Sequence, residues 1–105
     1  MALLVLAGDS VAGKTALHPA YPNPFNPTTV IPFELGSDTR VEIGVFDTNG
    51  RRIRTLVDGR RRAGRHEVWW NGTDARGRVV PGGIYFCRLL TSAGERRTIR
   101  LILLK

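Results

Sequence analysis

Cysteine occurs once in this sequence, at Cys87, methionine once and lysine twice. A single cysteine excludes an intrachain disulfide and any zinc cluster built on cysteine. No stretch of 18 apolar residues exists, so nothing crosses a membrane as a helix. No window keeps a helical period of apolar residues either. Acidic residues are scarce, 9 against 16 basic ones, which leaves a net charge of +7 carried by 14 Arg and only 2 Lys. What is abundant is turn chemistry: 12 Gly and 6 Pro in 105 residues. The hydrophobic content of 42% and charged content of 24% exclude a disordered chain. For this mass the folded surface is about 5,800 Å² against roughly 17,000 Å² unfolded, so folding buries on the order of 65% of it. That suffices for one domain with a real core and leaves little material for a deep catalytic cleft.

The charge is uneven. Residues 1–50 hold two bases against five acids, a net of −3; residues 51–105 hold fourteen bases against four acids, a net of +10. Residues 1–20 read as an apolar segment, Met1 to Ala7, followed by a small, polar linker. Tyr21-Pro-Asn-Pro-Phe-Asn-Pro27 reads as a stiff, extended lead-in, because proline fixes φ and restricts its predecessor. From residue 28 onward strands and turns alternate. Thr29–Leu35 is rich in β-formers, with Pro32 demoting it to an edge or bulged strand. Arg40–Asp47 alternates with Val41, Ile43 and Val45 on one face, and Asn49-Gly50 marks a type I′ hairpin turn leading to Ile53–Val57. Asp58–Gly64 reads as a basic loop. Arg65–Trp70 places His66, Val68 and Trp70 opposite Glu67 and Trp69. A glycine-rich turn region over 71–83, with a small hairpin at Ala75-Arg76-Gly77, precedes strands at Ile84–Leu90 and Thr98–Leu104. Recurring turns and a period of two predict an all-β, antiparallel sandwich of about seven strands over residues 21–105.

The sharpest chemical pattern is Gly8-Asp-Ser-Val-Ala-Gly13-Lys14-Thr15, which fits the phosphate-binding expression G-x-x-x-x-G-K-[ST]. In that role Lys14 reaches the terminal phosphates and Thr15 holds Mg²⁺, but a helix must follow Thr15, and His18-Pro19 leaves no room for one. A chance match in a linker of small residues is the simpler reading. His18 and His66 are 48 residues apart with no nucleophile in a suitable context, and His66 fits a core or edge position. Cys87, mid-strand beside Phe86, fits a small core hydrophobe. Asp47, Asn71 and Asp74 are the candidate calcium ligands; the simpler reading gives each to its own turn. Arg51, Arg52, Arg54, Arg60, Arg61, Arg62 and Arg65 put seven guanidinium groups into fifteen residues. They are the candidate contacts for an anionic partner, such as lipopolysaccharide or an acidic protein surface. A solvated face that blocks edge-to-edge pairing is the alternative. Nucleic acid is disfavoured, since Trp69 is the sole exposed aromatic such a surface would use. No cofactor is called for.

Four motifs in order then carry a resemblance. These are Tyr21-Pro-Asn-Pro-Phe-Asn-Pro-Thr-Thr-Val-Ile-Pro-Phe33, Val45-Phe-Asp-Thr-Asn-Gly-Arg-Arg-Ile-Arg-Thr-Leu56 with Ala63-Gly-Arg-His-Glu-Val-Trp-Trp70, Trp70-Asn-Gly-Thr-Asp-Ala-Arg-Gly-Arg-Val-Val-Pro-Gly-Gly-Ile-Tyr-Phe86, and Leu103-Leu-Lys105. Together they resemble the type A C-terminal sorting domains of bacterial type IX secretion, and the later part is similar to the Ig-like domain of flagellar hook-capping proteins. The resemblance covers roughly residues 16–105. It implies an Ig-like fold, no catalytic residues, delivery to the cell surface and recognition by outer-membrane machinery. Pro22, Asn23, Pro24, Asn49, Gly50, Trp70, Gly72, Gly77, Gly83 and Tyr85 are then fold determinants. A rival expectation is a structural subunit that self-assembles, hook-cap-like or as a filament in which Leu3, Leu4, Val5 and Leu6 donate a strand to a neighbour's open edge.

Overall fold

The computed structural model describes residues 14–105, so the strand-donating run Leu3–Leu6 and the Gly8–Gly13 part of the phosphate-loop match lie outside the described residues. Seven strands follow in order: β1 (Ala16–Leu17), β2 (Thr29–Leu35), β3 (Thr39–Phe46), β4 (Arg52–Arg61), β5 (Gly64–Trp70), β6 (Gly83–Thr91) and β7 (Arg96–Leu103). They form two antiparallel sheets, one of three strands in the order β1-β2-β5 and one of four in the order β4-β3-β6-β7. This is the expected Ig-like β-sandwich of seven strands.

The apolar alternation decides which side of each strand faces the other sheet. β2 buries Ile31, Phe33 and Leu35; β3 buries Val41, Ile43 and Val45; β6 buries Tyr85, Cys87 and Leu89; β7 buries Leu101 and Leu103. Burial pushes the Cys87 thiol up to about 12, so it packs as an apolar group. Trp70 closes one end of this core, with its ring centroid 5.6 Å from Phe25 and 5.2 Å from Tyr85. Its indole N–H donates to Thr73 O at 2.9 Å, so the large ring is buried with no orphaned donor.

Residues 21–27 do not form a lead-in. Tyr21 pairs with Val30 on β2, while Phe25 pairs in parallel with Leu103 on β7, so one short segment is stitched to both sheets. Phe25 N donates to Ile102 O at 2.9 Å, and Leu104 N donates to Phe25 O at 2.8 Å. Asn23 imitates a peptide unit: its amide donates to Arg100 O and its carbonyl accepts from Ile102 N, at 2.9 and 2.8 Å. Thr29 Oγ1 donates to Pro22 O at 2.7 Å. The apolar ring of Phe25 pulls the segment inward, leaving it only 1% exposed.

Four further expectations are corrected. Residues 14–20 are not all linker: β1 pairs with β2 through Ala16↔Glu34 and Leu17↔Phe33, and Thr15 and Ala20 are buried. Thr29–Leu35 is the central strand of its sheet. At Pro32 the pairing is one-sided: its carbonyl accepts from His18 N, Pro32 has no N–H to return, and two-sided pairing resumes at Tyr21 with Val30. Asp58–Arg61 continues β4 instead of forming a loop, pairing as Asp58↔Glu42, Arg60↔Arg40 and Arg61↔Thr39. The chain then crosses to the other sheet in two residues, Arg62 and Ala63. Finally, Gly50 N donates to Asp47 O, so Thr48 and Asn49 are the central residues of the hairpin turn and Gly50, at φ 85°, follows them, one position later than a type I′ turn at Asn49-Gly50 requires.

Replacing Phe25 by Ala is expected to destabilise the domain by about 3–5 kcal/mol, and Asn23→Ala by about 1–3 kcal/mol. Urea denaturation followed by tryptophan fluorescence measures both. A near-neutral Phe25→Ala would return residues 21–27 to the role of a lead-in.

Candidate functional site

The glycine-containing turns share one construction. In Asp47-Thr-Asn-Gly-Arg51 the Asp47 Oδ1 accepts from Asn49 N and Arg51 N at 2.9 and 3.0 Å, and Arg51 Nε reaches Asp47 Oδ2 at 3.2 Å. In Asp74-Ala-Arg-Gly-Arg78 the Asp74 Oδ1 accepts from Arg76 N and Arg78 N, again at 2.9 and 3.0 Å, and Arg78 Nε reaches Oδ2 at 3.3 Å. Thr91-Ser-Ala-Gly-Glu95 repeats the plan in neutral form, with Glu95 N donating to Thr91 Oγ1 and Thr91 Oγ1 donating to Glu95 Oε1. In all three the glycine sits at positive φ, 85°, 81° and 94° at Gly50, Gly77 and Gly94, where a Cβ would be strained. Backbone hydrogen bonds from Arg51 and from Arg78 are the main cause that holds the Asp47 and Asp74 carboxyls below the usual carboxylate range. Of the three candidate calcium ligands, Asp47 and Asp74 are thus engaged by their own turns, and Asn71 Oδ1 accepts from Thr73 Oγ1 at 2.6 Å.

Of the glycines between Trp70 and Tyr85, Gly72 serves close packing. Gly72, at φ 76°, lies where a Cβ would stand 3.4 Å from both Leu103 and Pro27 O. Gly83 is also at positive φ, and Tyr85 Oη donates back to Pro81 O.

Of the phosphate-loop residues, Lys14 is exposed and Thr15 is committed elsewhere. Its Oγ1 donates to Glu95 Oε1 at 2.8 Å and accepts from Gly36 N at 3.1 Å. A strand, Ala16–Leu17, follows it in place of the helix that phosphate binding requires.

The seven arginines do not form one surface. Arg51 closes its turn, and Arg65 lies 3.5 Å from Glu34. Arg54 donates to Thr73 Oγ1 at 2.6 Å and to Asp74 O at 3.1 Å, fastening β4 to the 71–80 loop. Arg52 pairs with Glu42 at 3.3 Å and lies over the Phe46 ring, 5.0 Å from its centroid. Arg88, outside the sequence-derived set, covers the same ring at 4.3 Å. Gly44 makes room for this arrangement, since a Cβ there would meet the Arg52 guanidinium at 2.7 Å. Arg60, Arg61 and Arg62 have neither an acidic partner nor a loop to fasten among the described residues, and they line a pocket of about 140 Å³ with Asp38.

A larger groove, about 590 Å³, lies on the three-stranded sheet and went unnoticed in the sequence because its residues are far apart there: His18, Tyr21, Pro32, Glu34, Arg65 and Glu67 share it with Phe33 and His66. His18 Nε2 stands 2.8 Å from Glu34 Oε1, and this hydrogen bond, with Arg65 beside it, holds the Glu34 carboxyl below its ordinary range. Tyr21 Oη donates to Glu67 Oε2 at 3.0 Å, which pushes its ionisation up. His66 stacks on Phe33 with centroids 5.1 Å apart and points Nε2 at Arg62 O, 2.7 Å away. Among the described residues the groove offers charged groups and a stacked ring pair.

A seven-stranded Ig-like sandwich whose motif residues serve turns and packing defines a module of the Ig-like class. The chain matches the FlgD Ig-like domain family over residues 26–95 and belongs to it. The basal-body rod modification protein FlgD of Salmonella typhimurium is 35% identical over 60 residues, 57% of this chain and 26% of that protein. The chain thus spans about a quarter of this curated relative. Among solved structures, dimeric latent PorU from Porphyromonas gingivalis superposes with a TM-score of 0.68 at 19% identity, over 97% of this chain and 10% of PorU. PorZ, a surface component of the type-IX secretion system of the same organism, superposes with a TM-score of 0.58 at 22% identity, over 94% of this chain and 13% of PorZ. These structural likenesses establish the fold.

Because the Asp47 and Asp74 carboxyls are lowered in the folded state, their stabilising contribution is present above the unfolded carboxylate pKa of about 3.9 and is lost as pH falls through the folded values. The double variant Asp47→Ala/Asp74→Ala is therefore expected to melt below the wild type at pH 7. The gap should narrow on acidification, measured by thermal melts from pH 7 to pH 2. A gap independent of pH would remove the charge from the explanation.

Proposed function

We propose that this chain is a non-enzymatic sorting and surface-attachment module of a secreted bacterial protein, presented to outer-membrane machinery at the cell surface. The observation that carries this reading is the union of the first and last motifs. Tyr21–Pro27 and Arg100–Leu104 are hydrogen-bonded into one structure, so the motif series forms a single folded label. Pro22, Pro24 and Asn26 are exposed within it, which supports recognition of the segment from outside. The fold shared with PorZ adds support at the level of architecture. Arg60, Arg61 and Arg62 are the groups available to an anionic partner such as lipopolysaccharide.

A second reading, a structural subunit of hook-cap type, draws on the family match over residues 26–95 and on the 35% identity to FlgD. It needs no secretion machinery specific to the motif at Tyr21–Pro27, five of whose seven residues precede the matched region.

Fusing the 105-residue chain to the C-terminus of a periplasmic reporter separates the two. In a cell competent for type IX secretion the fusion is expected at the cell surface, and Asn23→Ala/Phe25→Ala should abolish its arrival. Retention of the unaltered fusion in the periplasm would overturn the sorting reading.

A further inference from the structure

A two-sheet sandwich has four edge strands, and three of them are short or covered here. At β7 the Asn23–Phe25 segment occupies the stretch Arg100–Leu104. At β4 the first half is covered by the 71–80 loop, where Ala75 N donates to Ile53 O at 3.2 Å, and the second half carries Asp58, Arg60 and Arg61, charges that discourage pairing. β1 is two residues long. The fourth edge, β5, runs for seven residues and is paired by β2 alone among the described residues; its first half carries Arg65 and Glu67, and its second half, Val68–Trp70, is uncharged. Beside it lies a groove of about 320 Å³ lined by Leu56, Trp69 and Trp70 with Thr28, Arg54, Thr55 and Asn71. Trp69 is 62% exposed there. An open, uncharged stretch of strand edge next to an exposed indole is a template for an added strand.

We propose that this edge accepts residues 2–7, Ala-Leu-Leu-Val-Leu-Ala, from a second copy of the chain. The inference rests on the structural-subunit reading and names its interface. The donor run carries no charge, proline or glycine, the composition that pairs as a strand, and it belongs to the thirteen residues that precede the described structure. Direction follows from the sheet order β1-β2-β5. The donor run leads into β1, and the acceptor β5 is the opposite edge of the same sheet, two strand spacings or about 9.6 Å away. Donor and acceptor are therefore unlike surfaces on opposite sides of one molecule. Each copy gives one strand and receives one, which yields a head-to-tail assembly in place of a symmetric dimer.

The test uses the full chain and two variants, Leu4→Asp/Leu6→Asp in the donor and Trp69→Asp at the acceptor, each checked for folding by circular dichroism. Sedimentation velocity over a concentration series is expected to show the wild type growing into multimers and each variant alone remaining monomeric. Mixing the two variants should give a one-to-one dimer and nothing larger, because one intact donor then meets one intact acceptor. Hydrogen exchange in the wild type should show β5 amides gaining protection as the multimer forms, a readout that does not depend on any variant. A wild type that is monomeric at every concentration overturns the proposal together with its parent reading. Multimers that persist in both variants, or form without β5 protection, overturn this interface and leave the structural reading standing.

Discussion

Everything in this fold depends on Phe25 being held between the sheets by main-chain bonds that its own ring does not supply. The ring packs against Trp70, while its backbone pairs with β7 and its neighbour Tyr21 pairs with β2. A sandwich must keep two sheets in a fixed relation, and apolar contact alone is non-directional. Here the direction comes from a short segment hydrogen-bonded to both layers. The contacts from residues 23–25 to residues 100–104 span nearly the whole described chain, so the core closes only when its most distant parts meet. The shared turn design complements this: each turn completes its own hydrogen bonding locally, leaving the long-range pairings to be set by the core.

Much of the architecture was legible because the core strands alternate strictly. Val41, Ile43 and Val45, or Ile31, Phe33 and Leu35, announce a buried face without any knowledge of the partner. The misreadings have identifiable causes. Asp58–Arg61 looks like a loop because an edge strand past the core meets solvent on most sides and its residues are charged. Ala16–Leu17 is too short to show a period. Phe25 was hidden among prolines, whose local rule speaks of extension and is silent on where an aromatic ring goes. The groove around His18 and Glu67 was invisible for a different reason: its residues lie on β2, on β5 and in the segment 18–21, and only the register brings them together.

The arginines show how a count misleads where a geometry informs. A net charge of +7 suggests a binding surface, yet Arg51 and Arg78 neutralise their own turn aspartates, Arg54 fastens a loop, and Arg52 and Arg88 cover Phe46. A guanidinium is suited to each of these tasks, since its planar fork can stack on a ring and still donate hydrogen bonds. Part of the basic character is thus internal construction, and of the arginines between residues 51 and 65 it is Arg60, Arg61 and Arg62 that stand free of it.

The parallel pairing of Phe25 with Leu103 has a mechanical consequence. Tension applied upstream of Tyr21 and downstream of Leu104 would pull two parallel, side-by-side segments in opposite directions along their own length. The hydrogen bonds of Asn23 and Phe25 to Arg100, Ile102 and Leu104 would then be loaded together, in shear, and not opened one after another as in a peeling hairpin. A module built this way resists being drawn out from its ends while remaining free to unfold by other routes, a property suited to a domain that holds something in place.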